Sequence, residues 1–155
     1  MDSVALVKPA MDIERALERG LELIGGFQGL KSPVLVKPNI CTISDGTGSS
    51  VTDVRVVEAL VRLVLKEDPS LDVQIIESDS QSKYAMDAFE KFGYKKLADK
   101  MQESGFSVSV VDLSSLPLEQ IDFDGAYFKD PELPEVLTRP NYFISVAVSK
   151  THYLT

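Results

Sequence analysis

Two lysines stand at the ends of apolar segments that are typical of buried strands. Lys37 follows the run Val34–Val36 and precedes Pro38 and Asn39, and Lys150 follows the apolar run 142–148. A lysine in such a place can act as a point charge that binds a carboxylate or a phosphate. We therefore predict an anion pocket that contains Lys37, Asn39 and Lys150. The alternative is that each lysine ends its strand in solvent.

Other polar residues could complete this site. His152 is the only histidine, and its ordinary pKa near neutrality suits a general acid or base, although a single histidine can equally have no role. Asp79 follows another apolar run and could bind a ligand. With Glu77 it could also offer oxygen atoms to a metal, but such pairs are common at sheet edges and we predict no metal site. Cys41 has no evident partner that would activate it as a nucleophile.

A loop rich in glycine and hydroxyl residues, 45–50, leads into a helix that we predict from Asp53 to about Lys66, with Thr52 as its N-cap. Backbone N–H groups at such a helix start can bind phosphate. The loop lacks the Gly-Lys-Ser/Thr ending of a nucleotide-binding loop, so a flexible lid is the alternative.

Strand and helix patterns alternate along the chain. Apolar runs predict strands at 4–7, 34–37, 73–76, 106–112 and 142–148, and helical spacing predicts helices at 13–24, 53–66, 84–92 and 97–104. This order predicts an α/β fold with a mostly parallel, Rossmann-like open sheet and helices on both faces. Ligands of such sheets bind beyond the carboxyl ends of the strands, where the polar residues named above lie.

We predict a single domain over residues 1–155. Within it, residues 116–140 are rich in proline and acidic residues and form an insertion, with Asp124-Gly125 as a hairpin turn.

Composition limits the function. The formal net charge of −8 and the absence of a basic stripe argue against nucleic-acid binding. One cysteine excludes a disulfide or a Cys-rich metal or iron–sulfur site formed within this chain. We find no signal-peptide pattern and no apolar run of about 20 residues, so we expect a cytoplasmic protein without membrane contact.

Several blocks resemble, in order, a widespread prokaryotic family called domain of unknown function 362 (DUF362). The blocks are 34–39, 52–60, 88–94 with Leu97-Ala98, 111–113 and 150–152. The resemblance implies an α/β domain of uncertain activity. Other members are often joined to a ferredoxin-like module with two four-iron clusters and are suspected of redox work. The polar positions that match are Lys37, Asn39, Thr52, Asp53, Lys150 and His152.

The chain departs from the family pattern after Lys150-Thr-His152. Members usually continue with a glycine-rich segment, whereas this sequence ends at Thr155. It is therefore expected to be either a fragment of a longer protein or a short member completed by a partner. An incomplete sheet edge could also pair with a second copy, so a homodimer is an expected state.

Two functions fit these observations. In the first, the protein is an enzyme that holds a small anion with Lys37 and Lys150, while His152 moves a proton and an iron–sulfur cluster on a partner or another domain supplies electrons. In the second, it is a non-catalytic ligand-binding or assembly module whose contact surface is the stretch 116–140.

Overall fold

The computed structural model describes residues 4–8, 12–44 and 48–151. Six strands lie in these ranges: β1 (Val34–Pro38), β2 (Val73–Glu77), β3 (Val108–Asp112), β4 (Leu118–Gln120), β5 (Glu132–Pro134) and β6 (Tyr142–Val146). Four of them form a parallel sheet in the order β3-β2-β1-β6. The continuous apolar run of β1 suits its place between two neighbours, because a central parallel strand is covered on both faces. The predicted parallel α/β sheet is confirmed.

Five α-helices lie in the same ranges: α1 (Ile13–Ile24), α2 (Val54–Glu67), α3 (Ala85–Lys91), α4 (Tyr94–Glu103) and α5 (Glu135–Thr138). The Asp12 carboxylate accepts hydrogen bonds from two N–H groups in the first turn of α1, and Gly25 ends that helix with a φ of 94°. Such a backbone angle favours glycine. Among these described helices, none is both long and apolar enough to cross a lipid bilayer.

Helix α2 begins one residue later than the sequence pattern predicts. Asp53, rather than Thr52, is its N-cap, and the Asp53 carboxylate accepts a hydrogen bond from the Arg55 N–H. The prediction was wrong because threonine and aspartate are both good N-caps, and the pattern does not reveal that the Thr52 hydroxyl is bound elsewhere.

The main core lies between one face of the sheet and helices α2, α3 and α4. Fully or nearly buried residues of these elements form one cluster. Its members include Val34, Val36, Val73, Ile75, Val57, Val61, Val64, Phe89, Tyr94 and Leu97. The buried side chains of α2 recur at helical spacing, as the sequence predicts.

The opposite face of the sheet is covered by shorter elements. Leu35 and Ile76 are buried there with Leu113, which begins a 3-10 helix over Leu113–Ser115. Val136 and Leu137 of α5 pack against this cluster. Short helical segments therefore cover this side, and long helices cover the other.

The stretch after the 3-10 helix contains an antiparallel strand pair. Strands β4 and β5 pair with Leu118 opposite Pro134, and Asp124 pairs with Lys129 farther out. The segment between β4 and β5 thus turns near the predicted Asp124-Gly125 position.

The predicted strand at residues 4–7 is wrong. These residues have no strand pairing with the described part of the chain, and Val4 and Leu6 are exposed. Val7 lies instead against α1, with a methyl carbon 3.8 Å from the position that a Cβ on Gly20 would take. An apolar run alone does not make a strand, since a strand also needs a neighbour with free hydrogen-bonding groups.

Candidate functional site

A buried carboxylate is shared by two lysines at the carboxyl edge of the sheet. Lys37 near the end of β1 and Glu77 at the end of β2 meet because these strands are parallel neighbours. Glu77 Oε1 accepts a hydrogen bond from Lys37 Nζ, and Glu77 Oε2 lies 2.7 Å from Lys83 Nζ. We call these three residues the Lys–Glu–Lys triad.

Lys83 reaches the triad through a tight turn after β2. Its backbone pairs with Ser80, where the Ser80 N–H donates to the Lys83 carbonyl over 2.9 Å. Its ammonium also donates to the Ser78 carbonyl. Sequence reasoning missed Lys83, since a lysine in a polar loop ahead of a helix is ordinarily solvated. The one sequence feature that could have indicated a lysine partner is the acidic residue Glu77 at the end of the preceding apolar strand.

The two lysines of the triad differ in exposure. The side chain of Lys83 is 2% exposed and that of Glu77 is 5% exposed, whereas that of Lys37 is 36% exposed. With one carboxylate and two ammonium groups, the triad has one formal positive charge in excess. Lys37 is the member of the triad that solvent and solutes can reach.

Thr52 and Asn39 join three elements at the same edge. The Thr52 hydroxyl accepts a hydrogen bond from the Asn39 N–H over 2.8 Å and donates one to the Val146 carbonyl over 2.6 Å. The Asn39 side-chain amide donates to the Ser50 carbonyl over 2.7 Å. These bonds tie the end of β1 to β6 and to the start of α2. Both residues lie at the carboxyl edge of the sheet, where these hydrogen bonds give them a structural role.

Tyr94 supports this junction from the core. Its hydroxyl donates to the Thr52 carbonyl over 2.5 Å, and its ring packs edge-on against Phe89 with centroids 6.2 Å apart. Burial raises the pKa of Tyr94 well above its ordinary value, and the charges of Asp53 and Glu77 act in the same direction.

The two predicted aspartates are engaged at helix starts. Asp53 caps α2 and pairs with Arg55, whose side-chain hydrogen bond is the main cause that lowers the pKa of Asp53. Asp79 accepts a hydrogen bond from the Ala85 N–H over 2.8 Å, at the start of α3. Its own N–H donates to the Ser114 hydroxyl over 2.7 Å. A phosphate at the start of α2 would meet the Asp53 carboxylate, while residues 45–47 of the predicted phosphate loop lie outside the described ranges.

The carboxyl-terminal site residues are only partly described. Lys150 is exposed, four residues beyond the end of β6, and forms no ion pair with other described residues. His152 lies outside the described residues. Because β6 and β1 are parallel neighbours, Lys150 follows the same sheet edge at which Lys37 lies.

Cys41 is exposed beside Asn39, with its sulfur 3.5 Å from the amide nitrogen. Within residues 4–8, 12–44 and 48–151, no group of three His, Cys, Asp or Glu side chains is placed to hold a metal ion. Glu77 and Asp79, the two carboxylates considered for a metal, are instead engaged by lysines and by a helix N-terminus, respectively.

Comparisons with known proteins identify a family but no individual relative. Neither the curated proteins nor the solved structures include a chain that matches this one. A family model described as "Domain of unknown function (DUF362)" matches residues 34–155. This range holds the whole parallel sheet, the triad and the Thr52 junction. The chain therefore belongs to the DUF362 family.

Proposed function

We propose that the carboxyl edge of the sheet binds a small anion, a carboxylate or a phosphate, and that Lys37 contacts it. The observation that carries this proposal is the excess positive charge of the triad together with the exposure of Lys37. Lys83 supplies the second charge that offsets Glu77. The Lys37 ammonium therefore keeps an attraction for an anion, even though it is paired.

The donors of Lys37 support this role. An ammonium group has three N–H donors. In the described structure, Lys37 Nζ donates to Glu77 and, over 3.1 Å, to the Pro38 carbonyl. One donor remains for a ligand, and Lys150 lies beyond the neighbouring strand as a second source of positive charge. In a chain of net charge −8, two such lysines at one edge favour anion binding there rather than elsewhere.

The first test compares two lysine variants with the same change of net charge. Lys37→Met removes the proposed contact, and Lys31→Met removes an exposed lysine that precedes β1, at the opposite edge of the sheet. Calorimetric titration with inorganic phosphate and, separately, with oxalate should show saturable binding to the wild type. We expect Lys37→Met to weaken it at least about tenfold, a loss of about 1.4 kcal/mol, and Lys31→Met to leave it nearly unchanged. Equal affinities of the wild type and Lys37→Met for both anions would refute the proposal.

An enzymatic role extends this proposal, with His152 transferring a proton to or from the bound anion. It is supported by the position of His152 two residues after Lys150 in the sequence. Because the chain has one histidine, its imidazole gives a single set of proton NMR signals. If His152 faces the bound anion, phosphate should move its titration midpoint to higher pH, since a negative charge favours imidazolium. A midpoint that phosphate does not move would remove His152 from the site.

Iron–sulfur redox chemistry would need a second protein or domain. A single cysteine cannot hold a four-iron cluster, so the residues of this chain do not fit that cofactor. The proposal for this chain is therefore restricted to anion binding and proton transfer.

A further inference from the structure

The hairpin tip, residues 121–131, displays three aromatic side chains to solvent. Tyr127 is 95% exposed, Phe128 72% and Phe123 51%. Summed over the three side chains, roughly 300–500 Å² of aromatic residue surface is exposed, and exposed apolar surface of this extent often marks a binding site.

Hydrogen bonds order the backbone of the tip that carries these side chains. The Gly125 N–H donates to the Phe128 carbonyl over 3.0 Å, and the Asp130 N–H donates to the Phe123 carbonyl over 2.9 Å. A Cβ at Gly125 would lie 2.8 Å from the Phe128 carbonyl oxygen, so this turn requires glycine. A surface that is already ordered loses little conformational entropy when it binds, which favours recognition.

Acidic groups surround the aromatic side chains. The hairpin from 118 to 134 has five carboxylates and one lysine, and that lysine, Lys129, pairs with Asp124 over 2.9 Å. At the base of the hairpin, Glu119 is paired with Arg139. The carboxylates of Asp122, Asp130 and Glu132 form no ion pair with other described residues and make an exposed acidic rim. Within it, the Asp130 carboxylate accepts a hydrogen bond from the Phe123 N–H over 3.2 Å.

The charge indicates which kind of partner fits. A second copy of this chain carries a net charge of −8 and would be repelled, and so would an anionic lipid surface. We propose that the hairpin tip is a docking site for a different protein, one with an apolar cleft that receives Tyr127 and Phe128 and a rim of Lys and Arg that faces the acidic groups. This surface shares no residue with the proposed anion site, and its test does not depend on that site.

A defined probe with this chemistry can test the proposal. The probe is a labelled peptide of lysine and leucine with leucines at helical spacing, and its counterpart replaces every lysine by glutamate. Fluorescence anisotropy should show that the wild type binds the first peptide and not the second. We expect binding to weaken at least about tenfold in Tyr127→Ser/Phe128→Ser. It should also weaken as salt rises from about 50 to about 300 mM.

The control variant, Leu23→Ser/Ile24→Ser, removes two exposed apolar side chains at the end of α1. It should bind the lysine peptide as the wild type does, and the same loss in both variants would overturn the assignment to the tip. Dimerisation in sedimentation velocity that Tyr127→Ser abolishes would also overturn it, in favour of a second copy. Binding to phosphatidylglycerol vesicles that requires Tyr127 would overturn it in favour of a membrane.

Discussion

Replacement of Glu77 by glutamine tests the buried triad most directly. Glutamine keeps the shape of the side chain and removes its charge, so Lys83 is left as a buried cation whose neighbours are a neutral amide and the Ser78 carbonyl. Lys37 is affected less, because its side chain is 36% exposed and water can solvate it. The destabilisation should therefore come mainly from Lys83.

The expected loss of folding stability is large for a substitution that leaves the shape of the side chain unchanged. Removal of one partner from a buried ion pair costs about 3–5 kcal/mol, out of a total stability of about 5–15 kcal/mol for a domain. With an m-value of about 2 kcal/mol/M, the urea midpoint should fall by about 1.5–2.5 M. The same substitution at Glu90, an exposed carboxylate 3.4 Å from Lys95, should cost less than about 1 kcal/mol.

The assay is equilibrium urea denaturation followed by circular dichroism. The double variant Glu77→Gln/Lys83→Met is an essential comparison, since it also removes the buried ammonium group that Glu77→Gln leaves without a carboxylate. It should be more stable than Glu77→Gln alone by more than about 1 kcal/mol, because contacting charges do not act additively. The single variant Lys83→Met completes the comparison. If the losses of stability in Glu77→Gln and Lys83→Met simply add in the double variant, or if Glu77→Gln costs no more than Glu90→Gln, the triad does not have the energetic role described.

Variants at three further positions test other parts of the molecule. Asp53→Ala removes the N-cap of α2 and should lower the stability by about 1 kcal/mol, while Asp53→Asn should lose less because asparagine also caps helices. Because the folded pKa of Asp53 is lowered, the wild type should be more stable than Asp53→Asn near neutral pH, and this difference should disappear as pH falls below about 4. Denaturation at several pH values measures the difference. Tyr94→Phe should lower the stability by about 1–3 kcal/mol at neutral pH, because it leaves the Thr52 carbonyl without its hydrogen-bond donor. Because the folded pKa of Tyr94 is raised, the difference in stability between the wild type and Tyr94→Phe should shrink as pH rises above about 10. A difference that does not change with pH would contradict the role given to the Tyr94 hydroxyl. Gly125→Ala should loosen the hairpin, which faster amide hydrogen exchange at residues 123–130 would reveal and unchanged exchange would refute.

Much of the fold follows from patterns that act over short distances. The helix at 13–24 and the strand at 34–37 each depend on neighbouring residues, and both predictions are confirmed. The failure at residues 4–7 is of another kind. Whether that run forms a strand depends on the strand order, and a local pattern does not contain the strand order.

The position of Lys37 was predictable from the sequence, but its pairing was not. The rule that parallel strands bring their carboxyl ends to one edge correctly places Lys37 beside the end of β2. The pattern did not show that Glu77 would be buried between two lysines, because Lys83 reaches Glu77 through the turn that pairs Ser80 with Lys83. Roles for Lys37, Asn39, Thr52, Asp53, Asp79, Lys150 and His152 in ligand binding or catalysis stay predictions.

The two lysines of the triad differ in what they can do, although their side chains are chemically identical. If Lys37 alone faced Glu77, the pair would be neutral and the sheet edge would offer an anion only a dipole. Lys83 changes this, since it satisfies the buried carboxylate from the inner side, where its own charge is out of reach of solvent. The excess charge is then available at the half-exposed end, on Lys37. In the proposed anion site, the charge of the buried Lys83 is thus the physical reason that Lys37, although paired, would attract an anion.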